Sequence, residues 1–292
     1  MSRIEQDLTG KTYLVTGGNS GIGLEAAKDF ASRGATTLIV SRNKERGEEA
    51  RRLIIEHSQN QQVYLYIADF SLLRSVNKLA DTILEKHPII NVLCNNAGGS
   101  NAIRTITSEG FETTFATNHL GSFLLTLRLL PALRQAAQSG IARVVFTSSY
   151  GHKHSPLDFN DLGLEKNYKS LKAYGRSKLM NLLTARELQK RCDDSNIVVS
   201  SFHPGAVRTP IWSKGGTVAK ALGFFMNPFM VSIEKGADTL IWLASSEDVD
   251  SLQAHGHYFL KRQRAQTASF ATDDAAKKLW ERSLELVSPY LK

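Results

Sequence analysis

Short apolar runs alternating with helix-length stretches constrain this chain more than any other feature. The runs fall at 12–16, 36–40, 63–67, 89–94, 143–147 and 197–202. Between them lie helical patterns at 21–33, 43–57, 72–86, about 108–138 and 171–191. Alternation of this kind predicts βαβ units and a parallel sheet. The runs lack polar alternation, as expected of strands covered on both faces. The 292 residues leave room for two domains, but no linker rich in Pro, Gly or Ser divides them. The expected fold is therefore α/β: a single doubly wound domain with helices on both faces of its sheet. A charged amphipathic stretch at 273–286 predicts a helical extension over about 270–292.

Composition removes several classes. Hydrophobic residues make up 42% and charged residues 22%, which excludes a disordered or fibrous chain. The two cysteines, Cys94 and Cys192, cannot build a disulfide framework or a zinc site, and they suit a reducing compartment. No metal is expected. The net charge of +8 permits an anionic partner, but no nucleic-acid recognition motif accompanies it, so no nucleic acid is expected. The first residues are polar and carry neither a signal-peptide core nor a transit-peptide pattern. The most apolar stretch, 221–233, is too short to span a bilayer and contains Asn227 and Pro228. A cytoplasmic protein without a transmembrane segment is the expectation. The expected assembly is a homodimer or homotetramer, with a monomer left open.

The first strand leads into Thr16-Gly17-Gly18-Asn19-Ser20-Gly21-Ile22-Gly23 and then a helix. Glycines there permit a tight turn and a close approach of phosphate to backbone N–H groups, at the positive end of a helix. The spacing is longer than G-x-G-x-x-G, but the strand–turn–helix setting is the context such a cofactor loop requires. An ordinary glycine turn is the alternative. At the end of the second strand stand Ser41 and Arg42, where an NAD site would place Asp or Glu. A guanidinium can hold a 2′-phosphate through charge-assisted hydrogen bonds, so Arg42 favours NADP(H). The alternative is one solvated charge in a basic stretch.

Tyr174 and Lys178 are four apart at the start of a helix and share one face. A phenol is too weak an acid to ionise readily at neutral pH, and a nearby ammonium favours its ionised form. A phenol tuned in this way can give a proton to a carbonyl oxygen as hydride arrives, or take it back. Core packing is the alternative reading of the tyrosine. Ser148 and Ser149 close the fifth strand, where ligands of open parallel sheets bind, and either can be a turn serine instead. Cys94-Asn95-Asn96-Ala97-Gly98 closes the fourth strand. Its asparagines suit bonds to the loop backbone, and its small residues let a ribose approach. Asp69, just after the third strand, suits an adenine contact or a turn. Asn118 is a polar residue inside a long apolar helix; it suits a break in that helix with a water relay, or a bond to nearby backbone.

Taken in order, these pieces resemble the short-chain dehydrogenase/reductase family, in its retinol-dehydrogenase-like, soluble form, over about residues 8–259. The resemblance implies a Rossmann-type fold and a nicotinamide cofactor. It implies Asn118, Ser149, Tyr174 and Lys178 as catalytic residues. It implies cofactor contacts from Gly17, Asn19, Ser20, Gly21, Ile22, Gly23, Arg42, Asp69, Asn95, Ala97, Gly98, Tyr174 and Lys178. The loop Pro204-Gly205-Ala206-Val207-Arg208-Thr209 matches the family's P-G-x-V-x-T, adding Pro204, Gly205, Val207 and Thr209. The second serine of the family's pair normally carries the role, which selects Ser149. Ser149 and Tyr174 stand 25 residues apart, more than in many members, and the extra stretch reads as an exposed polar loop. Residues 210–235 would be the substrate lid. Phe224, Phe225, Met226, Phe229 and Met230 suit a hydrophobic carbonyl or alcohol substrate, with a packed helix, a subunit contact or weak peripheral membrane contact as alternatives. A non-catalytic NADPH-binding sensor or scaffold is the competing function.

Overall fold

The computed structural model describes residues 6–193, 195–206 and 231–291. Eight strands form one sheet in the order β3-β2-β1-β4-β5-β6-β7-β8. They are β1 (Thr12–Thr16), β2 (Thr36–Ser41), β3 (Val63–Ile67), β4 (Val92–Asn95), β5 (Ala142–Thr147), β6 (Ile197–His203), β7 (Tyr258–Leu260) and β8 (Gln263–Arg264). All neighbours pair in parallel except β7 and β8. The order reverses at β1, which lies between β2 and β4 and makes a crevice at the strand ends.

The unbroken apolar runs have the expected physical cause. Successive residues of one strand feed opposite faces, so Leu14, Leu93 and Val144 enter one core while Val15, Cys94 and Val145 enter the other. The first core is roofed by α3 (Leu73–Lys86), α5 (Gly121–Ala137), α6 (Ser170–Arg191) and the helix Asp273–Val287. The second is roofed by α1 (Gly21–Ser32), α2 (Lys44–Ser58) and the helix Ile233–Ser245. β3 departs from the expectation of two covered faces. It is the sheet's edge, and Tyr64 and Ile67 are largely exposed.

The helix expected over 108–138 starts later. Gly110 takes a left-handed φ of 87°, and Ile106 bridges Glu112 across a short turn. The buried Glu112 carboxylate then accepts from Thr114 N and Phe115 N at 2.8 and 2.7 Å, starting α4 (Thr113–Phe115). A π-helical turn, Ala116–Leu120, leads from α4 into α5, so Asn118 does sit in a widened turn. The helix Asp273–Val287 anchors that turn: the His119 ring bonds the Ser283 hydroxyl at 2.7 Å, and Trp280 packs edge-on against Phe123. Among the described residues no helix is long and apolar enough to cross a membrane.

Candidate active site

The glycine turn, the ends of β4, β5 and β6, and the start of α6 converge at one edge of the sheet. Gly17 and Gly21 have φ of 65° and 55°, left-handed values that favour glycine. A Cβ on Gly23 would lie 2.5 Å from both Gly17 O and Asn96 Nδ2, so α1 starts pressed against the turn. Ser20 precedes α1 but its side chain makes no capping bond, leaving the first N–H groups free of side-chain partners. The Ile22 side chain is buried in the core, so only its backbone faces the turn. Gly17 N donates to Val40 O at 3.0 Å, joining the turn to the end of β2. Arg42 follows two residues later, exposed, and forms no ion pair among the described residues.

Thr16 Oγ accepts from Asn96 N and Ala97 N, both at 2.9 Å, and Asn96 Nδ2 donates to Thr16 O at 3.0 Å. Of the two asparagines expected to bond the loop backbone, Asn96 does so. Asn95 does not; its side chain is buried and donates to Thr126 Oγ at 2.8 Å. The alternation of a strand explains the exchange, since Asn95 ends β4 facing the core and its neighbour faces out. Gly98 packs where a Cβ would lie 3.1 Å from both Asn118 Oδ1 and Lys178 Nζ. Asp69 serves as a turn residue, its carboxylate accepting from Ser71 N and Oγ at 2.9 and 2.8 Å.

The four residues expected to act on substrate come together across three elements. Lys178 Nζ, buried, donates to Thr147 O at 3.1 Å and lies 5.5 Å from the centre of the Tyr174 ring. Ser149 Oγ and Tyr174 both lie within van der Waals reach of a Cβ placed on Gly151, which seats them side by side. Ser148 is elsewhere engaged, its hydroxyl donating to Lys178 O at 2.8 Å. Asn118 accepts from Gly99 N and donates to Gly99 O, both at 2.8 Å, and also donates to Ser177 Oγ at 2.9 Å. The sequence model of short chain dehydrogenases matches residues 11–217.

The chain belongs to the short-chain dehydrogenase family.

Its relatives agree. It is 38% identical to retinol dehydrogenase 12 of Mus musculus, over 96% of this chain and 87% of that protein. It is equally identical to a Streptomyces sp. (strain C5) protein assigned by name to daunorubicin C-13 ketoreduction, over 96% of this chain and 93% of that one. The crystal structure of an uncharacterized Mycobacterium paratuberculosis protein superposes with a TM-score of 0.77 at 30% identity, covering 97% of this chain and 95% of that one. This short-chain dehydrogenase is therefore an oxidoreductase with retinol-dehydrogenase-like sequence.

Burial sets the acidities in the site. It pushes the Tyr174 phenol up to about 12, while the Ser149 hydroxyl pulls the other way. It pulls the Lys178 ammonium down to about 8. The lowering of the phenol expected from Lys178 is absent: desolvation dominates both groups, and only the Ser149 hydroxyl pulls the phenol down. Lys178 also carries a stability consequence. Its folded pKa lies below its ordinary 10.5, so its burial penalty is full below pH 8 and fades between pH 8 and 10.5. Lys178→Met should stabilise the short-chain dehydrogenase by up to about 3 kcal/mol at pH 7, with the gain shrinking towards pH 10. Paired denaturant titrations at the two pH values check this. Thr147 O keeps a donor in the variant, Asn181 Nδ2 at 3.1 Å.

Pro204 and Gly205 lie at the end of β6, Gly205 with a φ of 87°. Val207 and Thr209 lie outside the described residues, as does nearly all of the expected lid; Val231 N donates to Ala206 O at 2.9 Å. One expectation for the extra stretch is overturned. His152 is fully buried and not part of an exposed loop. Polarity concealed it in the sequence, as it concealed Ser177, although Ser177 stands three residues from Tyr174 on the same helix.

Proposed function

We propose that this short-chain dehydrogenase is an NADP(H)-dependent reductase of hydrophobic aldehydes or ketones, acting in reverse on the alcohols. The observation that carries the reading is the convergence of Ser149, Tyr174 and the buried Lys178 beside a glycine turn and an open helix start. The left-handed glycines, the uncapped N-terminus of α1 and a buried ammonium with no carboxylate partner among the described residues fit a pyrophosphate-bearing nicotinamide cofactor. Gly17, Asn19, Ser20, Gly21, Ile22 and Gly23 would hold its phosphates through backbone N–H groups. Ala97, Gly98, Pro204 and Gly205 would border its ribose and ring, and Arg42 would take the 2′-phosphate. Such a cofactor supplies or accepts a hydride at the substrate carbon.

Tyr174 stays protonated through neutral pH and so gives its proton to the carbonyl oxygen. Ser149 donates a hydrogen bond to that oxygen and orients it. Lys178 places positive charge near the phenolate that forms, lowering the cost of proton loss. The Asn118 side chain is committed to Gly99 and Ser177, so its share in any water relay falls to the backbone of the π turn. The ketoreduction and retinol-dehydrogenase names of the relatives support a bulky apolar substrate.

Purified protein should oxidise NADPH in preference to NADH with hydrophobic aldehydes and ketones. Arg42→Ala should raise the KM for NADPH roughly 10- to 100-fold, the worth of a charge-assisted bond, with little change for NADH. Equal use of both cofactors by the unaltered protein would remove the 2′-phosphate role. Saturable NADPH binding with no turnover on a broad carbonyl panel would favour the sensor reading.

A further inference from the structure

The stretch between Ser149 and Tyr174, which stand 25 residues apart, includes a segment that the reaction just described leaves unused. Its first part, Tyr150–His154, is a single 3-10 turn directly after Ser149. Ser149 begins that turn, its hydroxyl accepting from Gly151 N at 3.3 Å. The Ser149 carbonyl accepts twice from one residue: from His152 N at 3.1 Å and from the His152 ring Nδ1 at 2.6 Å. The imidazole is fully buried and stands edge-on to Tyr258, their centres 4.9 Å apart. Tyr258 belongs to β7 and is paired with Ser201 of β6, so the ring is backed by the sheet.

The other side of the turn is held just as closely. A Cβ on Gly175, the residue after Tyr174, would lie 2.2 Å from Ser155 Oγ and 2.7 Å from Gly151 O. The turn is thus seated on α6 beside Tyr174 itself. An ordinary core histidine finds partners for both ring nitrogens. Here Nδ1 carries its proton to a carbonyl oxygen, while Nε2 is buried without a partner among the described residues. A phenylalanine would pack on Tyr258 without that orphaned nitrogen. The bond to Ser149 is what a histidine adds.

We infer that His152 is a positioning residue for Ser149: its ring clamps the Ser149 carbonyl and so fixes the serine backbone that aims the hydroxyl towards Tyr174. The inference rests on the proposed roles of Ser149 and Tyr174. Burial keeps the ring neutral, so the clamp is a steady one across neutral pH.

Two substitutions separate the clamp from plain packing. His152→Phe keeps a ring against Tyr258 and removes the donor. His152→Asn returns a side-chain N–H close to the position of Nδ1. His152→Phe should lower kcat about 10- to 100-fold, as a small misplacement of a reacting group does, with the fluorescence-titrated affinity for NADPH unchanged. His152→Asn should recover most of that loss. In a Ser149→Ala background His152→Phe should change kcat less than twofold, because the residue it positions is gone. Crystal structures of both variants give a readout independent of turnover. Ser149 should swing from Tyr174 in His152→Phe and keep its place in His152→Asn. Undiminished kcat in His152→Phe, a multiplicative loss with Ser149→Ala, or an unmoved Ser149 in the crystal would overturn the clamp. Should the carbonyl panel give no turnover while Ser149 still swings away, the clamp stands and the reaction assignment falls.

Discussion

Tyr174→Phe should lower carbonyl turnover by about a hundredfold to ten-thousandfold, the usual worth of a positioned general acid, while leaving NADPH affinity within a few-fold of the original. The substitution removes one oxygen and keeps the ring that Lys178 Nζ covers at 5.5 Å. Phenylalanine keeps the ring, so the packing loss is small and the variant should melt near the parent temperature. Steady-state kinetics together with fluorescence titration of NADPH check both halves. Full activity in this variant would remove Tyr174 from the chemistry. A joint loss of turnover and binding would show that the hydroxyl serves the cofactor site rather than the proton transfer. The high phenol pKa has a second consequence. Alcohol oxidation, which needs the phenolate to accept a proton, should speed up with pH more steeply than carbonyl reduction slows.

The largest structural effect is expected at Gly23. A methyl group there meets Gly17 O and Asn96 Nδ2 at 2.5 Å and Gly17 C at 3.1 Å. Neither neighbour can yield cheaply. Gly17 belongs to the backbone of the turn, and Asn96 Nδ2 is held by Thr16 O at 3.0 Å. The helix must lift from the turn instead. Gly23→Ala should therefore cost about 1–3 kcal/mol, the range for overpacking a close-fitted site. That corresponds to roughly 2–4 °C of Tm per kcal/mol in a chain of this size class. NADPH affinity should fall more than tenfold, because the displaced amides are those proposed to face its phosphates. Gly140→Ala is the control: a Cβ there meets nothing within 4 Å, and its Tm and kinetics should stay unchanged. Equal behaviour of the two variants would show that the contact between α1 and the turn is soft.

Much of this was legible from residues alone, for physical reasons. Buried parallel strands need apolar side chains on both faces, so β1 stood out with its observed limits and β2, β5 and β6 within one residue, while β3, at the sheet edge, stood out with its observed limits through its β-branched and aromatic residues. β7 and β8 did not. They are three and two residues long, and the turn between them uses Lys261 and Arg262 at positive φ, where Gly or Asn would have signalled it. The helix Ile233–Ser245 also went unassigned, because its apolar start merges into the stretch taken for a lid. The order of strand, glycine residues and helix announced the tight turn at the start of α1. The division of labour between Asn95 and Asn96 needed the strand's register, which a pair of identical residues does not reveal. Burial of His152 was hidden for a related reason. Its neighbours Lys153 and His154 are polar, and nothing in a polar run distinguishes the one ring that turns inward.

The helix Asp273–Val287 bonds His119 and packs Trp280 on Phe123, the residues flanking Asn118 and its widened turn. This has a bearing on biosynthesis. A ribosome delivers Ser283 164 residues after His119, so the turn waits for a partner made long after it. Until the late helix docks, the nascent sheet can be fully paired while the π turn still lacks its backing. Docking of this late helix, and not pairing of the sheet, therefore sets when the turn around Asn118 gains its fixed shape.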